Sequence, residues 1–166
     1  MVVPAEARSP IDTVLVLDLD GSAEEIPPSA LGGGTSLASG KPARASNVFM
    51  KLEEFGPAQA LDDDDSTRWA TDQGTRTAWL DVDLGGVQEI GAVAIEEAYA
   101  GRIRRYAIRH RNRADDPWLT SLEGQTVGGG DPKTFAPVKA RWVRLEVVEA
   151  SEGPTIQEFR VLPPVR

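Results

Sequence analysis

The sequence contains no cysteine and only one histidine, His110. The absence of thiols excludes a disulfide framework, a thiolate metal site and a cysteine nucleophile. A single imidazole excludes zinc sites that need several histidines, and it leaves a serine–histidine catalytic triad dependent on one residue. Because His110 lies in a segment of alternating polar and apolar residues, it is more typical of a strand residue at the core edge or on the surface.

Long apolar runs and an excess of positive charge are also missing. No stretch approaches the roughly 18 apolar residues of a membrane-spanning helix, and the N-terminus lacks the basic, apolar and small-residue regions of a signal peptide. The 166 residues carry a net charge of −8. Nucleic acid and anionic membranes are therefore not expected as partners, because both need a basic surface. Neutral ligands and the cellular compartment stay open.

The hydrophobic pattern has a period of two over several short segments. Residues 80–84 alternate apolar and acidic side chains and are followed by Gly85 and Gly86, which predicts a half-buried strand ended by a turn. The alternation recurs at residues 105–111 and 143–147, and stretches rich in Gly and Pro separate such runs. Since no helix of convincing length is predicted, the pattern favours an all-β fold, an antiparallel β-sandwich.

Composition also divides the chain along its length. Residues 1–20 include an alternating segment at 11–20 and are predicted to be a tail and the last strand of an upstream β-sandwich domain. Residues 21–34 are rich in Gly, Pro, Ser and Ala and are predicted to be a linker. The compact domain is expected at residues 35–162, followed by a C-terminal tail at 163–166.

The highest local charge is a run of four aspartates at residues 62–65. Adjacent carboxylates repel one another by about 1 kcal/mol per close pair in water, and by more where solvent is excluded, which favours a bound cation. Calcium takes about six to eight oxygen ligands from carboxylates, hydroxyls and carbonyls, and this stretch offers all three. An EF-hand is excluded, since counting from Asp62 places Thr67 and Gln73 where that loop needs glycine and glutamate. A solvated acidic loop is the alternative.

Five motifs, in their order and spacing, resemble the coagulation-factor type C, or discoidin, domain. They are SGKPARAS (39–46), the acidic loop ending in TRW (67–69), WLDVDLG (79–85), ARWVRL (140–145) and IQEF (156–159). Within this family the chain is similar to family 32 carbohydrate-binding modules of bacterial glycoside hydrolases. A finer resemblance, to the version at the C-terminus of α-L-fucosidases, is carried by IDTVLVLDLDG (11–21), EAYAGR (97–102) and EASEGPTIQEF (149–159).

The resemblance implies a discoidin-like jelly roll of about eight core strands, stabilised by a calcium ion that joins both ends of the domain. Carried over residue by residue, the ligands are the Gln59 carbonyl, Asp62, Asp64, Thr67, the Gln157 carbonyl and Glu158. The chain departs from the family at Asp63, where glycine is usual, and at Asp65. The resemblance also implies that the chain is the C-terminal portion of a secreted or periplasmic glycoside hydrolase whose catalytic barrel lies upstream.

Aromatic residues are the expected means of binding sugar, because a pyranose face stacks on a ring while its hydroxyls meet charged or amide groups. The four tryptophans, Tyr106 and Phe159 lie in or beside predicted strands. We expect them in the core or at sheet edges, where they are not available to a ligand.

Tyr99 is a better candidate because it lies between strands, with Glu97 and Arg102 on the same short loop. A carboxylate, a ring and a guanidinium there could bind vicinal hydroxyls, and the alternative is an exposed Glu–Arg pair of little consequence. Asn47 and Phe49, on the loop that leads to the acidic run, are expected to form the neighbouring wall. Phe49 and Phe55 could instead form a hydrophobic plug beneath that loop.

Three functional classes follow from these observations. The first is a noncatalytic, calcium-stabilised carbohydrate-binding module for terminal sugars, with a fucose- or galactose-type glycan as ligand. The second is a domain that only packs on and stabilises its catalytic neighbour. An independent enzyme is disfavoured, because a retaining glycosidase needs two carboxylates about 5 Å apart in a pocket, and the densest carboxylate cluster is assigned to the ion. The sequence therefore predicts a binding module without catalytic activity of its own.

Overall fold

The computed structural model describes residues 36–164, so the strand predicted at 11–20 and the linker predicted at 21–34 lie outside the described residues. This part of the chain is built from seven strands and three short 3₁₀ turns, which confirms the all-β prediction. The strands are β1 (Ala43–Ala45), β2 (Trp69–Ala70), β3 (Ala78–Glu97), β4 (Ile103–Arg111), β5 (Leu119–Gly124), β6 (Lys133–Ala150) and β7 (Thr155–Leu162). The 3₁₀ turns are Phe49–Lys51, Glu53–Phe55 and Pro57–Ala60. Within the described part, no helix is long and apolar enough to cross a membrane.

The strands form one antiparallel sheet that folds back on itself into a sandwich. The strand order is β2-β7-β3-β6-β4-β5, and β1 pairs separately with β3. The long strands β3 and β6 pair in two stretches, one aligning Ala78 with Val147 and the other aligning Gln88 with Ala140. The first half of β3 also pairs with β1, and its second half pairs with β7. One layer therefore contains β1, β4 and β5, the other contains β2 and β7, and β3 and β6 contribute to both.

The bend in β3 lies at Gly85 and Gly86, where its register with β6 shifts between Asp83 and Gln88. Gly85 has φ +83°, a conformation that residues with a side chain rarely adopt. Its N–H donates to the Asp83 carboxylate at 2.9 Å. The prediction that a strand ends at these glycines is wrong. Pairing with β6 continues on both sides of the irregularity, so the glycines bend one strand instead of terminating it.

In residues 36–164, one apolar core lies between the two layers. Leu80 and Val82 from the first half of β3 belong to the same buried cluster as Ile95 from its second half, together with Trp69 and Phe159. Their alternation with polar residues is the pattern that predicted the strands. Burial of one face of each strand in this cluster is the main source of stability for a domain without disulfides.

Tryptophan and arginine side chains alternate on the outer face of the layer that contains β4. The guanidinium carbon of Arg144 lies 4.4 Å from the ring centroids of both Trp79 and Trp118. That of Arg111 lies 4.2 Å from the Trp118 centroid. Arg144 also donates two hydrogen bonds to Asp81, at 2.5 and 2.8 Å, so this buried carboxylate is paired. Trp69 lies in the core as predicted, whereas Trp79, Trp118 and Trp142 are partly exposed and pack against arginines on the outer face of the sheet.

Candidate functional site

The acidic loop folds around the hydroxyl group of Thr67. Thr67 Oγ1 lies 2.9 Å from both carboxylate oxygens of Asp62, 3.1 Å from the Gln59 carbonyl and 2.9 Å from the Asp64 carbonyl. A hydroxyl has a single hydrogen to donate, so it cannot satisfy all of these oxygens at once. Asp64 contributes its carbonyl here, because its carboxylate accepts hydrogen bonds from Ser66. Those bonds lower the pKa of Asp64. The structure thus brings Gln59, Asp62, Asp64 and Thr67 to one point.

The two remaining predicted ligands lie on β7. Glu96 and Glu97 are adjacent on β3, but their partners on β7 are Glu158 and Ile156, so the register shifts by one residue there. Gln157 is therefore the extra residue of a β-bulge, a feature that redirects a strand residue away from the ladder. Its side-chain amide donates to the Asp65 carbonyl, which ties β7 to the acidic loop. The bulge places Gln157 and Glu158 beside the loop that carries the other predicted ligands.

Glu158 is the most deeply buried carboxylate of the described residues, with 1% of its surface exposed. Burial raises its pKa to about 7; Arg160 opposes this shift, whereas the charges of Asp63 and Asp62 add to it. Glu158 Oε1 has no hydrogen-bond partner among residues 36–164, and Oε2 lies 3.9 Å from Arg160 Nη2. A buried, unpartnered carboxylate oxygen close to other carboxylates is the environment that a bound cation would satisfy.

The donor set fits a hard cation and does not fit a transition metal. Within residues 36–164, no group of three or more carboxylate or imidazole side chains is arranged to hold a metal. Calcium does not need one, since hydroxyl and carbonyl oxygens can complete its coordination beside two carboxylates. The only histidine, His110, bonds elsewhere, with Nδ1 2.7 Å from Ser121 Oγ, and burial lowers its pKa.

The unusual aspartate Asp63 has a structural role in the same loop. Its φ is +57°, in the left-handed region that favours glycine, which accounts for the glycine usual at this position. Its carboxylate accepts hydrogen bonds from Ser39 Oγ at 2.6 Å and Arg160 Nε at 3.3 Å. These contacts connect the loop to the chain before β1 and to β7.

Arg68, the residue that follows Thr67, lines a cavity of about 410 Å³. Its walls come from the 3₁₀ turns, the end of β2, the β3–β4 loop and the β6–β7 loop. The aromatic and charged side chains that line it are Phe49, Phe55, Tyr99, Arg68, Arg102 and Glu152. Of the residues predicted to bind sugar, the structure thus brings Phe49, Tyr99 and Arg102 together.

Arginine and aromatic side chains stack along this cavity. The Arg102 guanidinium carbon lies 4.2 Å from the centroid of Tyr99, and that of Arg68 lies 5.2 Å from the centroid of Phe55. Phe49 meets Phe55 edge to face, with ring centroids 5.3 Å apart. Half of the Tyr99 surface is exposed. A guanidinium that rests on a ring still presents its in-plane N–H groups to a ligand.

Asn47 and Glu97 are not among the cavity-lining residues. The Asn47 amide donates to the Asp72 carboxylate at 2.9 Å and accepts the Asp72 N–H at 2.7 Å. Glu97 accepts the N–H groups of Gly101 and Ile103 at 2.9 and 2.8 Å, instead of pairing with an arginine. Both side chains therefore fix the shape of the loops that carry the cavity wall.

Sequence reasoning did not single out Arg68 or Glu152. Glu152 Oε1 accepts the N–H groups of Gly74 and Gly153, and the bond from Gly74 makes the largest contribution to lowering its pKa. The sequence did contain a signal for Arg68, because it directly follows Thr67, a residue predicted to be held at the ion site. Glu152 carried no such signal, since it reaches the cavity only through the packing of the β6–β7 loop.

Residues 42–159 match the F5/8 type C domain, and the chain belongs to that family. It is a noncatalytic discoidin domain of the carbohydrate-binding-module type, as the sequence predicted. Chitosan-binding module 1 of a chitosanase/glucanase from Paenibacillus sp. IK-5 is 30% identical, with a TM-score of 0.69 over 76% of this chain and 98% of the module. The second chitosan-binding module of that enzyme, solved with chitotriose, is 27% identical, with a TM-score of 0.68 over 75% of this chain and 98% of the module.

Fucosidases are also among the similar proteins. A GH29 fucosidase from Ruminococcus gnavus, solved with fucose, is 30% identical, with a TM-score of 0.72 over 80% of this chain and 27% of the enzyme. A rice protein (Oryza sativa subsp. japonica) that is named as an α-L-fucosidase is 25% identical over 109 residues, which are 66% of this chain and 21% of the rice protein. The chain thus spans about a fifth to a quarter of its fucosidase relatives.

Proposed function

We propose that this chain binds a terminal sugar residue of a glycan in the cavity between Tyr99 and Arg68. The observation that carries the proposal is the convergence of three aromatic rings, two guanidinium groups and one carboxylate on that cavity. A ring gives a pyranose an apolar face to stack on, and charged groups form the stronger hydrogen bonds to its hydroxyls. Fucose- and galactose-type sugars are the first candidates.

An NMR titration of the calcium-supplemented chain with fucose and galactose tests this proposal. A single sugar makes few contacts, so we expect a Kd of about 0.1–10 mM, with shifts clustered around the cavity. Tyr99→Ala removes a stacking face and should weaken binding about tenfold, with little change in melting temperature because the side chain is half exposed. Leu119→Ala, an equally exposed position on β5, is the matched control.

Shifts that cluster elsewhere would move the site. If no sugar perturbs the spectrum at tens of millimolar, the domain only supports its catalytic neighbour, the second function considered from the sequence.

The proposal includes one structural calcium ion between the acidic loop and β7. Its oxygen ligands would be the Asp62 and Glu158 carboxylates, the Thr67 hydroxyl and the carbonyls of Gln59, Asp64 and Gln157. The support is the crowding of oxygens on Thr67 Oγ1 and the unpartnered Oε1 of Glu158. The ion would supply positive charge where carboxylates converge, and it would join two distant parts of a chain that has no disulfide.

Melting curves with chelator and with millimolar calcium test the ion site. A ligand that binds only the folded state adds RT ln(1 + [L]/Kd), about 2.7 kcal/mol at a hundredfold excess over Kd. Asp62→Asn should abolish the response to calcium, whereas Asp131→Asn, an exposed aspartate outside the acidic loop, should keep it. Superimposed curves for the parent chain would show that the site is wrongly assigned.

In the whole protein, we propose that this domain follows the catalytic domain of a secreted or periplasmic glycoside hydrolase resembling α-L-fucosidases. The support is the similarity to fucosidases of which this chain covers only a part. The domain would hold the enzyme near glycans that carry its substrate. Deleting it from the full-length enzyme should therefore lower activity on glycan-bearing surfaces more than activity on a small soluble fucoside.

A further inference from the structure

We propose that the sugar held in the cavity carries a carboxylate, as a uronic acid does, an inference that rests on the proposed function. The cavity wall contains two guanidinium groups, those of Arg68 and Arg102. Neither lies within ion-pair distance of a carboxylate in the part of the chain that the structure describes. Five other arginines there do have acidic partners, namely Arg109, Arg113, Arg141, Arg144 and Arg160. The cavity wall therefore contains two guanidinium groups that form no direct ion pair, although the charge of Arg102 contributes to lowering the pKa of Glu152.

The position of each guanidinium suits a planar anion. Arg102 lies over Tyr99 and Arg68 lies over Phe55, an arrangement in which the N–H groups that make no other bond can donate to a carboxylate. Arg102 already donates to the Gly153 carbonyl at 3.0 Å. The Arg68 side chain has no hydrogen-bond acceptor among residues 36–164. Arg68 is thus the better anchor for the ligand's carboxylate, with Arg102 as a second donor.

The acidic group of the wall has a different role. Glu152 accepts two backbone N–H groups through Oε1, which holds its carboxylate in place beside the cavity. It can accept hydrogen bonds from sugar hydroxyls, but it leaves the charged wall with two cations against one anion. That balance disfavours a cationic amino sugar, the kind of residue that makes up chitosan. The ligand class therefore differs from that of the chitosan-binding modules to which the chain is similar.

The overall charge of the chain limits how much negative charge the ligand can bear. The net charge of −8 repels anions at a distance. At physiological ionic strength this repulsion is screened beyond about 8 Å, whereas a contact with Arg68 is not. A single carboxylate inside the cavity is therefore attracted, while a polyanion that extends over the acidic surface is repelled. A terminal uronic acid fits both conditions.

Matched sugars test the inference by NMR titration with calcium present. The methyl glycosides of galacturonic and glucuronic acid are compared with the corresponding neutral galactoside and glucoside, and with the methyl esters of the two acids. At least one acid should bind about tenfold more tightly than both its neutral counterpart and its ester, the effect of one charge-assisted contact. The preference should shrink as salt is added.

Substitutions of Arg68 test whether this residue causes the preference for the acidic sugar. Arg68→Gln should reduce the acid-to-neutral affinity ratio to about one, and Arg68→Lys should keep part of it, because lysine retains the charge but loses the planar edge. Arg44→Gln, an exposed arginine on β1 outside the cavity wall, should leave the ratio unchanged. The amide spectrum of each variant establishes that it is folded before the titration.

The outcomes separate the two proposals. If neutral sugars perturb the cavity resonances and bind as tightly as the acids, the inference fails while the proposed function stands. A preference for the acid that survives Arg68→Gln and Arg68→Lys unchanged would overturn the assignment of the anchor. If neither neutral nor acidic sugars bind at tens of millimolar, the proposed function itself fails.

Discussion

Replacing Glu158 by glutamine should stabilise the calcium-free domain above neutral pH. The carboxylate is almost fully buried, and burial raises its pKa from 4.5 to about 7. Because the folded pKa lies above the unfolded value, protonation favours the folded state. This contribution is fully present below about pH 4.5 and is lost as the pH rises through 7. At about 1.36 kcal/mol per pKa unit, ionisation at pH 8 destabilises the fold by about 3 kcal/mol.

Glutamine keeps the shape of the side chain and removes its charge. In chelator at pH 8, Glu158→Gln should therefore have a free energy of unfolding up to about 3 kcal/mol above that of the parent, and the difference should vanish near pH 4. Calcium should then raise the parent by about 2.7 kcal/mol at a hundredfold excess over Kd and the variant by much less. The advantage of the variant should disappear once calcium is added.

Urea denaturation at pH 4, 6 and 8, with chelator or with calcium, measures these differences. The exposed Glu149→Gln on β6 is the control for loss of one negative charge. The reasoning is refuted if Glu158→Gln is less stable than the parent in chelator at pH 8. If calcium stabilises parent and variant equally, Glu158 is not a ligand of the ion.

Two further substitutions test the fold. Arg144→Ala leaves the Asp81 carboxylate buried without its partner and should lower the free energy of unfolding in urea by about 3 kcal/mol or more, whereas the exposed Arg104→Ala should change it by less than about 0.5 kcal/mol. Gly153→Ala places a Cβ atom 2.7 Å from a backbone carbonyl oxygen, so it should destabilise by about 1–3 kcal/mol and weaken sugar binding. Gly86→Ala, which meets no atom within 4 Å, should be milder. Equal effects within either pair would contradict the packing described here.

The alternating segments predicted the strands well but not their connection. Residues 80–84 alternate because one face enters the core, and that local pattern is visible in the sequence. Whether Gly85 ends the strand or bends it depends on β6, which pairs with β3 on both sides of the glycines. A partner strand distant in sequence leaves no local signal, so the strand was predicted to end where it only bends. The same sharing of β3 and β6 between layers lets the seven strands of residues 36–164 build a sandwich that was expected to contain about eight.

The parts of the candidate site that lie within one loop could be predicted from the sequence, whereas the parts that several loops build together could not. The acidic run and Thr67 lie within one loop, so composition and family resemblance sufficed to bring them together. The choice of the Asp64 carbonyl over its carboxylate depends on backbone direction, which the residue type does not encode. Glu152 and Arg68 meet the same cavity only because the loops after β6 and before β2 pack together. Glu97 was predicted to face the ligand, but its carboxylate accepts backbone N–H groups of its own turn. The sequence does not distinguish these two roles, because a carboxylate on a tight turn suits both.

The proposed ion site and the sugar cavity share one stretch of chain, residues 55–68. Gln59 and Thr67 lie at the ion site, while Phe55 and Arg68 line the cavity. Only short 3₁₀ turns occur in this stretch, so few backbone ladder bonds hold it in place. An ion joining Thr67 to β7 would fix the backbone one residue from Arg68, and a cavity wall that is already ordered loses less entropy when sugar binds. Calcium should therefore strengthen sugar binding through preorganisation of Arg68 and Phe55, without itself contacting the sugar.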